Sequence, residues 1–228
     1  MKFIIIGLGN FGSSLSLKLT EMGHEVIGAD VNLNKVEALK DRLTFCINLD
    51  ATDENAIDHL PLKESDVVVV AIGENEGDSI LATAIIKQKF SKRIISRAVT
   101  KVQSTVMRAM GIDEIIFPEE DAADRLAMRL NIEGIMGHLK IYGDYNIVEA
   151  MVPDWLDGKT LHEAELMKNY NILVLTSFKN VENTSVLWMR HHPERDVGIA
   201  RSDTVLNSGD VMVVYGHLKD IRKMLEKE

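Results

Sequence analysis

Lys2-Phe3-Ile4-Ile5-Ile6-Gly7-Leu8-Gly9-Asn10-Phe11-Gly12 is an apolar, strand-forming run that ends in three glycines spaced G-x-G-x-x-G. β-Branched and aromatic side chains favour extended backbone, and a helix-compatible stretch follows, so the segment reads as strand, tight turn and helix. Gly7 is expected to permit the turn, Gly9 to let backbone approach a pyrophosphate, and Gly12 to let the helix pack closely on the strand. The helix start offers free N–H groups and the positive end of the helix dipole to a phosphate, with Leu8, Asn10 and Phe11 beside it. Asp30 stands 18 residues past Gly12, at the end of the next β-rich run, placed to accept ribose hydroxyls. A plainer reading has the glycines only making the turn and Asp30 capping the next helix. Strand, glycines and acid agree on an adenine nucleotide, and the acid disfavours a 2′-phosphate, which puts NADP last.

Outward from this turn, short β-rich runs alternate with amphipathic stretches. Strands are predicted over 2–6, 25–29, 44–47, 66–71, 93–97 and 114–117, with helices over 12–22, 33–40, 53–59, 78–89, 102–110 and 119–136. That alternation predicts an α/β fold, a Rossmann-like doubly wound parallel sheet. Gly134 and Gly137 weaken helicity and Tyr142-Gly143-Asp144 reads as a turn, so the first domain is assigned to residues 1–138, crossover helix included. Residues 139–228 are then a smaller α+β domain, with strands over 146–152, 172–178, 185–189 and 211–215 and helices over 161–168 and 218–225.

Ligands of open α/β sheets bind at the carboxyl ends of the strands. Asp50 and Ala51 end the third strand there. Asp50 is a candidate contact to the adenine or its ribose, and equally a turn or N-cap residue. Ile72 and Gly73, after the fourth strand, are expected to cover the adenosine, and Arg97, ending the fifth, to bring a cation to the phosphates or to make a surface ion pair.

Composition narrows the function. The longest apolar run, residues 67–72, is far too short to span a bilayer, and the chain enters a strand pattern at once, so neither a membrane span nor a secretion signal is expected. Cys46 is the single cysteine; it excludes an internal disulfide, fits a small buried position and suits a cytoplasmic setting. The net charge of −9 is shared, with 15 Lys+Arg against 21 Asp+Glu through His138 and 11 against 14 beyond it, which argues against nucleic acid as the partner. A Rossmann dehydrogenase, the alternative function, needs a proton donor or acceptor near the nicotinamide. His138, His162, His191, His192 and His217 have no metal or catalytic spacing, Pro193-Glu194-Arg195 reads as a loop, and no nucleophile or Walker motif is present. No catalytic residue is therefore assigned.

The chain as a whole resembles the regulator-of-potassium-conductance proteins, the cytoplasmic Trk/Ktr-type subunits of potassium uptake systems. The resemblance is carried by Ile6-Gly7-Leu8-Gly9 through Gly12, Met22-Gly23-His24-Glu25-Val26, Asp50-Ala51-Thr52, Ser96-Arg97-Ala98, Gly111-Ile112-Asp113-Glu114 and Phe117-Pro118-Glu119. It continues through Asp203-Thr204-Val205-Leu206-Asn207-Ser208-Gly209-Asp210. It implies a sensor of ATP, ADP, NAD or NADH without turnover, assembled as dimers and an octameric ring beneath an integral-membrane potassium transporter. It also implies a divalent cation at the dimer interface, with Glu119 at the matching position, where a helix-start glutamate is the plainer reading. Asn10 stands where several relatives carry an arginine that binds a terminal phosphate. Some relatives bind cyclic di-AMP through the second domain; no residue set here establishes it, and His191–Asp196 is longer than the usual loop.

Overall fold

Six parallel strands are laid down by the apolar runs of the first half of the chain: β1 (Lys2–Ile6), β2 (Glu25–Asp30), β3 (Phe45–Asn48), β4 (Val67–Val70), β5 (Arg93–Arg97) and β6 (Glu114–Ile116). Their order is β3-β2-β1-β4-β5-β6. The computed structural model describes residues 1–112, 114–179 and 198–227, and two compact units divide it, Met1–Glu120 and Asp121–Glu228.

Alternation along β1 and β4 explains why both faces of this sheet are covered. Ile4, Ile6, Val68 and Val70 enter one apolar cluster, with Ala82 and Ile86 of α4 (Glu76–Lys89) and Met107 of α5 (Lys101–Ala109). Ile5, Val67 and Val69 enter the opposite cluster, beside Leu15 of α1 (Asn10–Glu21) and Val36 and Leu39 of α2 (Leu33–Leu39). Each fully buried Ile or Val contributes roughly 1.5–3 kcal/mol, so an apolar run at the sheet's centre is what two covered faces require. A short α3 (Glu54–Ile57) follows β3. Asn32, Asp53, Asn75 and Thr100 cap the starts of α2 to α5 through their side chains, which turns the chain sharply at the carboxyl edge of the strands. The Rossmann-like reading is borne out. Cys46 is half-buried on β3, where burial pushes its thiol above the ordinary range.

Helix α6 (Pro118–Asn131) runs across the division between the units and has no buried residue; Leu126 and Leu130 are 53% and 80% exposed. The helix expected over 119–136 stops here. Gly134 adopts φ +83°, a left-handed conformation that terminates helices, and the residues after it pair as a strand. The second unit's sheet is antiparallel, in the order β7-β8-β10-β9, from β7 (Ile135–Tyr142), β8 (Tyr145–Met151), β9 (Leu173–Phe178) and β10 (Val211–His217). The division falls between Glu120 and Asp121 in the chain, and β7 spans residue 138, where the sequence reading divides it.

Val148, Ala150, Met212 and Val214 pack with Ile221 and Met224 of α9 (Leu218–Leu225) to form this unit's core. The single helix expected over 161–168 is two, α7 (Leu161–Ala164) and α8 (Leu166–Tyr170), broken at Glu165, whose φ is +46°. The strand expected over 185–189, His191, His192, the Pro193-Glu194-Arg195 loop and Asp113 lie outside the described residues.

His138 is buried on β7, and its Nδ1 has no hydrogen-bond partner among the described residues. Burial first, then the nearby Arg125, lowers its pKa below the ordinary 6.5, against an opposing pull from Asp124. A histidine held neutral when folded binds fewer protons than when unfolded, so its contribution to stability is present at neutral pH and is lost as pH falls through 6.5 towards the folded value. Thermal unfolding between pH 7.5 and 5.5 is therefore expected to show a smaller acid-induced loss in His138→Leu than in the wild type. Equal losses would assign the pH dependence to other groups.

Candidate functional site

A cleft of about 510 Å³ opens at the carboxyl edge of the parallel sheet, where the strand order reverses between β1 and β4. Gly7, Leu8, Gly9, Asn10 and Phe11 line it from the β1–α1 turn, Asp30 from β2, Asp50 and Ala51 from the end of β3, Ile72 and Gly73 after β4, Arg97 from β5, and Glu119 from the start of α6. The residues singled out by sequence thus meet around one cavity, except Gly12, which lies behind the wall.

The three glycines separate by function. Gly7 has φ +96°, and a Cβ there would lie 2.9 Å from the Ile72 nitrogen; a Cβ on Gly12 would lie 1.8 Å from the Gly7 carbonyl oxygen. Both are required by the fold. Gly9 has φ −66° and ψ −171°, open to any residue, and a Cβ there would meet nothing within 4 Å. Among the described residues nothing requires glycine at this position, and its lack of a side chain leaves the backbone open to close approach from the cleft.

The first bond within α1 runs from Ser13 N–H to the Gly9 carbonyl (2.9 Å), leaving the N–H groups of Asn10, Phe11 and Gly12 without an intrahelical acceptor. No acidic side chain sits in this first turn, so the positive end of the helix dipole is open to an anion.

Asp30 is 8% exposed. Its carboxylate accepts from Leu8 N–H (2.6 Å) and Asn32 N–H (2.8 Å), buckling the end of β2 to the glycine turn. The cap of α2 is Asn32, which accepts from Asn34 N–H. A carboxylate has about four lone-pair sites, so two remain beyond those taken by Leu8 and Asn32. Asp50 is a turn residue that also lines the cleft: the Thr52 hydroxyl (2.7 Å), then its N–H (2.9 Å), hold the Asp50 carboxyl below the usual range.

Arg97 lines the cleft and makes the ion pair that was one of the two roles weighed for it. Its Nη2 donates to Glu119 (2.6 Å), its Nη1 to the Ala71 carbonyl (3.5 Å), and its Nε is buried without a partner among the described residues. Glu119 is thus an ion-pair partner of Arg97, and among the described residues no group of three or more His, Cys, Asp or Glu side chains is arranged to hold a metal.

Sequence reasoning missed Lys35, Glu74, Asn75 and Asp78, which also line the cleft. Lys35 donates to Glu74 (2.7 Å) and stands 3.9 Å from Asp30; that hydrogen bond raises the ammonium's pKa and lowers the carboxyl's. A signal existed: Lys35 falls in the first turn after the Asn32 cap, and Asn75 caps the next helix at the same edge. The lining side chains are hydrogen-bonding and charge-holding groups with apolar walls, suited to gripping a diphosphate and a ribose.

Residues 3–118 match the TrkA-N domain family. The chain belongs to the TrkA-N family. Ktr system potassium uptake protein A of Bacillus subtilis (strain 168) is 31% identical to this TrkA-N chain over 222 residues, 97% of this chain and 94% of the relative. The crystal structure of the GsuK RCK domain superposes on 99% of the chain with a TM-score of 0.65 at 15% identity, the chain spanning 48% of that one's length. The GsuK channel bound to NAD gives 0.65 at 17% identity over 100% of the chain and 39% of the channel. At these identities the structural likeness is one of fold. The expected kinship with regulator-of-potassium-conductance proteins is borne out, and in this TrkA-N protein the glycine turn and Asp30 fall within the matched segment.

Proposed function

We propose that this protein is the cytoplasmic nucleotide-sensing subunit of a potassium uptake system, in which an adenine nucleotide held in the cleft, without turnover, gates a membrane transporter or channel. Gly9 carries the nucleotide part: it is a glycine that the fold does not need, at the mouth of an uncompensated helix start, in a cleft of about 510 Å³. NAD in the GsuK channel, whose fold this chain shares, supports an adenine nucleotide as the ligand. The potassium uptake protein of Bacillus subtilis, alike over 97% of this chain, supports the transport part.

Among the described residues no helix is long and apolar enough to cross a membrane, and in this reading a membrane partner holds the protein at the inner face. Val102 and Val106 on α5 and Leu126 and Leu130 on α6 are exposed apolar side chains that support self-association into dimers and a ring. The nucleotide gates by binding the assembly's two states unequally, about 1.4 kcal/mol for each tenfold difference in affinity.

Calorimetry with ATP, ADP, NAD and NADH is expected to find binding, light scattering to find assemblies at micromolar concentration, and deletion of the gene to alter potassium flux. Nucleotide binding without any effect on ion flux through a reconstituted pore would refute the transport part. A substrate-dependent change in NADH absorbance would restore the oxidoreductase reading.

A further inference from the structure

Resting on the nucleotide reading of this cleft, we infer that Arg97 is a relay that exchanges partners, between the Glu119 carboxylate at the start of α6 and the phosphates of a nucleotide. The cation and ion-pair roles open to Arg97 are then two positions of one side chain. Its guanidinium lies against Gly73. A Cβ on that residue would fall 2.3 Å from Nη1, 2.4 Å from Cζ and 2.6 Å from Nη2, and these are its three nearest atoms. Glycine at 73 is thus room made for this side chain.

The position paired with Glu119 is incompletely bonded. Nη2 donates to Glu119 (2.6 Å), Nη1 reaches the Ala71 carbonyl only at 3.5 Å, and Nε is buried without a partner among the described residues. A buried donor without an acceptor is costly, and the Glu119 side chain is 62% exposed, so water weakens the ion pair. The same cleft holds the glycine turn, whose free N–H groups receive a phosphate. A phosphate offers several charged oxygens, which a guanidinium fork meets with two parallel bonds. At the other end of the exchange is α6, none of whose side chains is buried, so a charged bond at its first turn weighs heavily in fixing where it starts. Glu119, Glu120 and Asp121 are consecutive there, and withdrawing the guanidinium strengthens their mutual repulsion. The same helix carries the exposed Leu126 and Leu130, so occupancy of the cleft reaches the surface proposed for self-association.

Hydrogen exchange of the full chain tests this at the amides of residues 122–125, which donate to carbonyls of the helix's first turn. Two variants take Arg97 from Glu119 by different routes: Glu119→Gln removes the partner's charge, and Gly73→Ala puts a methyl where the guanidinium lies. Without nucleotide, both are expected to exchange severalfold faster than the wild type at these amides. ADP, with a chelator present, is expected to raise the wild type to the variants' rate and to leave Glu119→Gln unchanged. By calorimetry Glu119→Gln is expected to bind ADP severalfold more tightly, since no carboxylate competes for Arg97. Unaltered exchange in both nucleotide-free variants, ADP bound to the wild type with no change at these amides, or no gain in affinity in Glu119→Gln overturns the relay and leaves the nucleotide reading standing. Failure of ADP to bind at all overturns both.

Discussion

Replacing Gly12 by alanine is expected to destabilise the first unit by about 3 kcal/mol, while the same change at Gly9 leaves the unit folded and abolishes its response to nucleotide. At Gly12 the new methyl would lie 1.8 Å from the Gly7 carbonyl oxygen, a backbone atom. Gly7 cannot readily retreat, because its φ of +96° makes the turn and its N–H donates to the Ala29 carbonyl (2.7 Å). Against a total stability of roughly 5–15 kcal/mol this is a large fraction. At Gly9 the methyl meets nothing, and the loss is within about 1 kcal/mol, the usual difference between glycine and alanine at an N-cap. Cys46, the single cysteine, sits half-buried on β3, so its rate of alkylation in increasing urea reports the opening of this unit. An unshifted labelling midpoint in Gly12→Ala would mean that the turn relaxes freely. Wild-type nucleotide affinity in Gly9→Ala would mean that no ligand presses on that backbone.

Asp30→Ala is expected to weaken binding of adenosine-ribose ligands by about 1.5–3 kcal/mol, roughly ten- to a hundredfold, and to destabilise the first unit by about 2 kcal/mol. The second effect follows from the buckle: without the carboxylate, the Leu8 N–H in a residue 3% exposed has no acceptor. Asp30→Asn keeps an oxygen for Leu8 and is expected to recover most of the stability but less of the affinity, because the charge-assisted bonds to ribose are gone. Unchanged affinity by calorimetry in Asp30→Ala would remove this residue from the site.

The sheet, the glycine turn and the residues gathered at its carboxyl edge were legible because local pattern and tertiary role coincide there. Ile4 to Ile6 and Val67 to Val70 are strand-forming and are buried on both faces. Beyond Asn131 the two diverge. Ile132, Ile135 and Met136 continue a helical spacing, yet pairing of Ile135 with Ala150 and of His138 with Val148 draws the chain into β7. Gly134 was the available stop signal. The Asp30 bond to Leu8 links residues 22 apart in sequence, and the ion pair of Lys35 with Glu74 spans two crossovers; neither leaves a mark in any local window.

The place of β1 in the sheet also orders events in time. β1 is flanked by β2 on one side and by β4 on the other, the latter through pairing of Phe3 to Ile6 with Val67 to Val70. The backbone of the glycine turn is therefore fully braced only after a loop of some sixty residues has closed, a step of high contact order. Shaping of the cleft and completion of the central sheet are one event, so a nascent chain halted before β4 has the glycine motif but not the cleft it lines.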